Sequence, residues 1–109
     1  MTTYDNREQA FEAEFTHDAE MRFRAHARRD RKLGLWAAAL IGKSGEAADD
    51  YAAGIVALGL ETTPDTAIKT RLMADFVKNG VQQSEPQITH TMMALMKVAE
   101  QEIKTEPKI

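Results

Sequence analysis

The chain has 109 residues, 28% of them charged, and a formal net charge of −3 at pH 7, so one domain with a modest core is expected. It contains no cysteine, which excludes disulfides and thiolate metal sites and is compatible with a reducing compartment. The N-terminal MTTYDNREQ lacks the apolar run of a signal peptide and no long apolar stretch follows, so a soluble, cytoplasmic protein with no direct membrane insertion is expected.

The first predicted helix can begin at Asp5, with Glu8 as its capping-box partner, and meets no strong stop before Gly42. Thr16 to Asp18 is its weak place. Charge along this helix is partitioned. From Asp5 to Glu20 six acids (Asp5, Glu8, Glu12, Glu14, Asp18, Glu20) face the single base Arg7. From Met21 to Lys32 six bases (Arg22, Arg24, Arg28, Arg29, Arg31, Lys32) face Asp30 alone. Acids before bases is the order the helix dipole favours. Asp18–Arg22 and Glu20–Arg24 add i,i+4 pairs of about 0.2–0.5 kcal/mol each. The basic run is matched by its acidic neighbour, and Arg28, Arg29, Arg31 and Lys32 point several ways around a helix. No nucleic-acid partner is expected.

The second predicted helix follows Ser44 as N-cap, presents Tyr51, Ala52, Ile55 and Leu58 on one face, and ends at Gly59. Thr63-Pro64 opens the third, whose Ile68, Leu72, Met73 and Phe76 precede a stop at Asn79-Gly80. Glu85-Pro86 starts the fourth, in which Ile88, Met92, Leu95, Ala99 and Ile103 keep helical spacing up to Pro107. Short joints favour antiparallel neighbours. The fold class expected is therefore all-α: an up-and-down four-helix bundle with a long first helix whose N-terminal half projects or frays. Its structural core is expected from Leu33, Trp36, Tyr51, Ile55, Leu72, Phe76 and Leu95, joined by Ala99. Gly34 and Gly54, with Ala37, Ala38, Ala48 and Ala52 nearby, suggest close approach of the first two helices around Trp36.

Length sharpens this picture. Residues 5–41 as one helix would span about 55 Å, and the other three about 20 to 30 Å each. Only the half near Leu33 to Leu40 could be covered, so residues before about 20 must project, fold back or fray. Residues 1–20 are thus set apart as an arm, and 21–109 as the bundle domain. The arm's Phe11, Phe15, Ala19 and Phe23 recur every four residues as a narrow stripe. A marginal amphipathic segment with aromatic anchors suits insertion into a partner's groove. The same pattern also suits a first helix packed back on its own bundle, and the residues alone leave both open.

Catalytic chemistry is sparse. There is no P-loop, G-x-G-x-x-G, G-x-S-x-G or H-E-x-x-H, and no enzyme is expected. Glu14-x-x-His17 would share a helical face, but a di-iron bundle needs two such pairs, and Gln87-x-x-His90 has the wrong first residue. No metal is expected.

YDNREQAFEAEFTHDAEMRFRAHARR followed by LGLWAAALIGK resembles the ζ subunit family, the ATPase inhibitor subunit of alphaproteobacterial F-type ATP synthases. The shared features are the R-E-x-A-F/H-E-A-x-F start, the H-D-x-E-x-R/N-F centre, the A-R-R, and the L-G-x-W-A-A joint. The likeness continues through GEAADDYAAGIV. Two places depart from the family pattern: Glu14 stands where a base is common, and Asp30 to Lys32 replaces a more neutral stretch. The resemblance implies a small four-helix protein that binds the F1 sector (α, β and γ subunits), blocks ATP hydrolysis by inserting its N-terminal helix at a catalytic α/β interface, and is monomeric when free. It implies Arg7, Phe11, Glu12, Phe15, His17, Asp18, Arg22, Phe23, Arg28 and Arg29 as partner-binding residues. It also implies a cytoplasmic location peripheral to the inner membrane. A second function remains open, also from family context: a ligand-sensing bundle that binds adenine nucleotide, with weak or vestigial inhibition. Asn79, Thr89, His90 and Thr91 are its polar candidates.

Overall fold

The computed structural model describes residues 18–106. They form four α-helices: α1 (Ala19–Leu40), α2 (Gly45–Leu58), α3 (Pro64–Lys78) and α4 (Glu85–Thr105). The chain is all-α, as its periodicity predicts.

Asp18 starts α1. Its backbone is extended (φ −101°, ψ 98°) and its carboxylate accepts the Met21 N–H at 3.0 Å, satisfying one of the donors every helix start leaves free. A helix start therefore lies at Asp18, the last residue of the predicted weak place. The expectation of a helix running unbroken from Asp5 is corrected: Asp18 leaves the helical region because its side chain caps the helix that follows. Residues 1–17 lie outside the described residues, and the arm's Phe11 and Phe15 lie there with them.

The other helix ends follow local chemistry. Gly42 (φ 84°) and Gly80 (φ 69°) take the left-handed conformation just past α1 and α3. This lets Lys43 N–H reach the Ala38 carbonyl and Val81 N–H reach the Phe76 carbonyl, both at 2.8 Å. Ser44 and Thr63 stand at the N-cap positions of α2 and α3 but make no side-chain cap bond. Ser84 forms a full capping box with Gln87, a Ser-x-x-Gln signal that outranks the Glu85-Pro86 start.

α1 is the spine, approached most closely by α2 and α4; α3 joins α2 and α4 at fewer points. Gly34 permits a close approach of α2 to α1. A Cβ built there would lie 2.6 Å from the Ala52 Cα and 3.1 Å from its Cβ, so any side chain would push α2 off α1. Gly54, by contrast, has open space around it and no packing role. Phe76, Leu33, Ile55, Ile68, Leu72 and Ile88 are fully buried between the four helices, each stabilising by roughly 1.5–3 kcal/mol relative to exposure. Trp36, Tyr51 and Leu95, expected in the core, pack on its rim and are only partly buried. Trp36 meets Phe76 edge to face, ring centroids 5.7 Å apart at 88°.

One expectation about coverage fails. α4 has 21 residues against 22 in α1, so the two are nearly equal in length. Ile103 and Met96 therefore reach Ala25 and Met21 in a second small cluster. Arg24 and Arg28 bind Glu106, and Arg28 and Lys32 bind Glu102, along the same seam. α1 is covered on this flank far beyond Leu33.

Candidate partner-binding surface and its grooves

Five residues implied for partner binding, Arg7, Phe11, Glu12, Phe15 and His17, fall outside the described residues. The other five lie along the first half of α1, with unlike environments. Asp18 is the helix cap. Arg22 is exposed, and Phe23 is 61% exposed although it is a large apolar side chain. Arg28 is held against α4 by Glu102 and Glu106. Arg29 is 3% exposed; its Nε donates to Asp30 Oδ1 and its Nη2 to Asp65 Oδ1, both at 2.7 Å. Its guanidinium is turned into the bundle, where it ties α1 to the first turn of α3.

The Arg29 cluster needs two charges in an interior position. Asp30 is 2% exposed, and burial pushes its carboxyl up from the ordinary 3.8 while Arg29 opposes the shift. Gly59 makes room for it, since a Cβ there would occupy the space of the Asp30 carboxylate. Burial, then the Arg29 charge, holds His26 below its usual 6.5, with Asp30 and Asp65 pulling the other way. The balance favours the neutral imidazole. Asp30, a lone acid in the basic run, was the sequence signal for this cluster; its partner Asp65 is too distant in sequence to be read from spacing.

Two grooves flank Arg22, His26 and Arg29. The first, of about 550 Å³, runs between α1, α3 and α4 over a floor of Met92, Met93 and Met96, with Lys69, Lys97 and Thr89 on its walls. The second, of about 540 Å³, runs between α1 and the joint from α2 to α3; Ala19, Phe23, Ala27, Val56, Leu60 and Pro64 give it apolar walls. Of the other polar candidates, His90 borders a shallow hollow beside Trp36, the Thr91 hydroxyl donates to the Gln87 carbonyl, and the Asn79 amide donates to the Asp75 carbonyl. Among the described residues, no three His, Asp or Glu side chains come together as a metal site, and no helix is long and apolar enough to cross a membrane.

No curated protein matches this chain. A protein-family model does: the family described as ATPase inhibitor subunit zeta matches residues 1–102, nearly the whole chain and all of the segment before α1. A match of this extent makes the chain a member of the ATPase inhibitor subunit zeta family, whose role is regulatory rather than catalytic.

Proposed function

We propose that the chain binds the F1 sector of an ATP synthase and blocks ATP hydrolysis by inserting residues 1–20 at a catalytic α/β interface. The family match over residues 1–102 carries this reading. The placement of the aromatic stripe supports it. Ala19 and Phe23, the last two members of the stripe, face solvent, while Ala25 and Leu33 face the core. Ala19 and Phe23 thus do not lie on the bundle's own core face. In this reading Phe11 and Phe15 anchor the arm between the α and β subunits, and Arg7, Glu12, His17 and Asp18 fix its orientation. Arg22, Phe23 and Arg28 extend the contact along α and β toward γ, and Arg29 acts indirectly by holding α1 to α3. The free protein is a monomer in the cytoplasm, peripheral to the inner membrane only through the synthase.

The test is ATP hydrolysis by the F1 sector of the same source, titrated with wild-type protein and with the Phe11→Ala, Phe15→Ala double variant. Buried interface aromatics are each worth about 2 kcal/mol or more, roughly thirtyfold in affinity, so the double variant loses most inhibition while keeping its helical spectrum. A folded double variant that inhibits like wild type would sink the insertion mechanism.

The first groove supports a second reading, an adenine nucleotide held by the bundle. Methionine floors accept a flat ring, and Arg22, Lys69 and Lys97 border the same cavity where phosphates would need cations. Titration with ATP, followed by amide shifts of residues 89–97, tests it; shifts absent at millimolar nucleotide would exclude it.

A further inference from the structure

We propose that the groove between α1, α3 and α4 is a proton-linked anion site: a phosphate-sized anion held by Arg22, Lys69 and Lys97 draws a proton onto His26. The proposal rests on the second reading above, which brings phosphates to these cations, and adds how their binding answers to pH.

Charge is the first observation. The chain as a whole carries −3, yet this groove is lined by four cations, Arg22, Arg29, Lys69 and Lys97, against the carboxylates of Asp65 and Glu100. Arg29 is committed to Asp30 and Asp65. Elsewhere on α1, Arg24, Arg28, Arg31 and Lys32 each have a carboxylate. Arg22, Lys69 and Lys97 form no ion pair or side-chain hydrogen bond among the described residues. They come from three different helices and line one cavity. Like charges gathered in this way repel one another until an anion sits among them. The methionine floor keeps the rest of the cavity apolar, so an anion is recognised at the cationic walls.

His26 is the second observation. It lines the same groove one helical turn from Arg22, and it stays open enough to exchange its proton with water. Arg22, Arg29 and Asp30 face it from α1. Asp65 and Lys69 of α3 and Lys97 and Glu100 of α4 share the groove with it. In the free chain, burial and then the Arg29 charge, with a smaller contribution from Arg22, favour the neutral ring, while Asp30 and Asp65 oppose them. An anion seated among the cations reverses the local field and favours the imidazolium. The charged ring carries an N–H on both nitrogens, which adds one more donor for the anion. The two events reinforce each other, because a ligand that raises the affinity for a proton is itself bound more tightly by the protonated form.

The sign follows from this. At high pH the three cations alone hold the anion. Binding tightens as pH falls through the value His26 has with the anion bound. It levels off below the value of the free ring, which lies under the ordinary 6.5, because both forms are then protonated.

Sulfate is the probe, since it is tetrahedral and its charge is constant near neutral pH, whereas that of phosphate is not. The ring signals of the three histidines of the full chain, assigned by His→Gln substitution, are titrated by NMR in sulfate and in chloride of equal ionic strength. Sulfate is expected to move the His26 titration to higher pH and to leave His90, which borders other hollows, where it is. Sulfate should bind about threefold or more tighter at about pH 6 than at about pH 8, and that gain should vanish in His26→Gln. The double variant Lys69→Gln, Lys97→Gln changes only groove walls outside the apolar core; it should keep its helical spectrum and lose the His26 response. A His26 titration that sulfate leaves unmoved overturns the proposal. So does an equal movement of His90, which would be general screening, or a gain in affinity that survives His26→Gln. Failure here is distinguishable from failure of the nucleotide reading. If ATP shifts the amides of residues 89–97 but neither ATP nor sulfate moves His26, the nucleotide stands and the proton link is refuted. If sulfate moves His26 and ATP leaves residues 89–97 unshifted, the anion site stands and the nucleotide is refuted.

Discussion

Gly34, Arg29 and Tyr51 show how much of this fold depends on single side chains, or on the lack of one. At Gly34 a methyl group would overlap the Ala52 backbone, so Gly34→Ala should destabilise by about 1–3 kcal/mol, the cost of overpacking, against its gain in helix propensity of about 1 kcal/mol. Gly54, in open space, should instead become more stable by up to about 1 kcal/mol as Gly54→Ala. Urea denaturation of the two variants checks the contrast. Arg29→Ala leaves Asp30 as an unpaired buried carboxylate and should cost about 3–5 kcal/mol at pH 7. Asp30's carboxyl is raised in the fold, so the folded chain keeps that proton to a higher pH than the unfolded chain. Its stability cost is present above the folded value and fades as pH falls through that value toward 3.8. The Arg29→Ala defect should therefore shrink toward pH 4, and a defect that is constant with pH would contradict this account. Asp75 behaves oppositely. Burial pushes it up, but hydrogen bonds from Tyr51 (2.6 Å) and Arg71 (2.8 Å) together hold it below its ordinary value. It stabilises the fold above the unfolded carboxylate range and that stability is lost as pH falls through its depressed value. Tyr51→Phe should cost about 1.5–3 kcal/mol at pH 7, as for a hydrogen bond to a charged group, and less at pH 3.

Among the elements, the seam between α1 and α4 and the close contact of α1 with α2 do different work. The α1–α2 contact rests on Gly34 against Ala52, both buried, and it gains dispersion energy through short backbone separation. The α1–α4 seam carries Lys32–Glu102, part-buried, and Arg24–Glu106, exposed, both at 2.9 Å; such pairs favour one register, and the exposed one weakens in salt. The basic run that seemed available for a partner is thus spent partly on α4, partly on the Asp30–Asp65 cluster and, through Arg31, on Asp49 of α2, with Arg22 left over. α3 is secured mainly through Ile68, Leu72 and Phe76, and Trp36 closes its contact with α1 by meeting Phe76. Trp36→Ala should cost about 3 kcal/mol, the low end for aromatic truncation because the ring is only partly buried. Thermal unfolding and the emission maximum of the single indole check it; a fully water-exposed spectrum in the wild type would rule the packing out.

At the scale of the molecule, Leu33, Ile55, Phe76 and Ile88 bring all four described helices into one core, so deleting residues 1–17 should leave a cooperative thermal transition. A broad, non-cooperative melt would show that the arm belongs to the core. The sequence by itself determined the helices, because apolar spacing, Gly42, Gly80 and the prolines at positions 64 and 86 act within a turn or two of chain. It also determined the family, because the arm and the LGLWAA joint are contiguous strings. The core residues Leu33, Ile55, Leu72 and Phe76 were legible for the same reason of periodicity. Only the tertiary structure decided that Arg29 points inward, that Trp36, Tyr51 and Leu95 stand at the rim, and that α4 covers α1 as far as Met21. It alone placed Phe23 beside Leu60 in an open groove. Such facts depend on which residues far apart in sequence become neighbours, as Arg29 and Asp65 do across 36 positions. A local pattern shows that a residue lies on a helix face; the packing of other helices decides whether that face is covered.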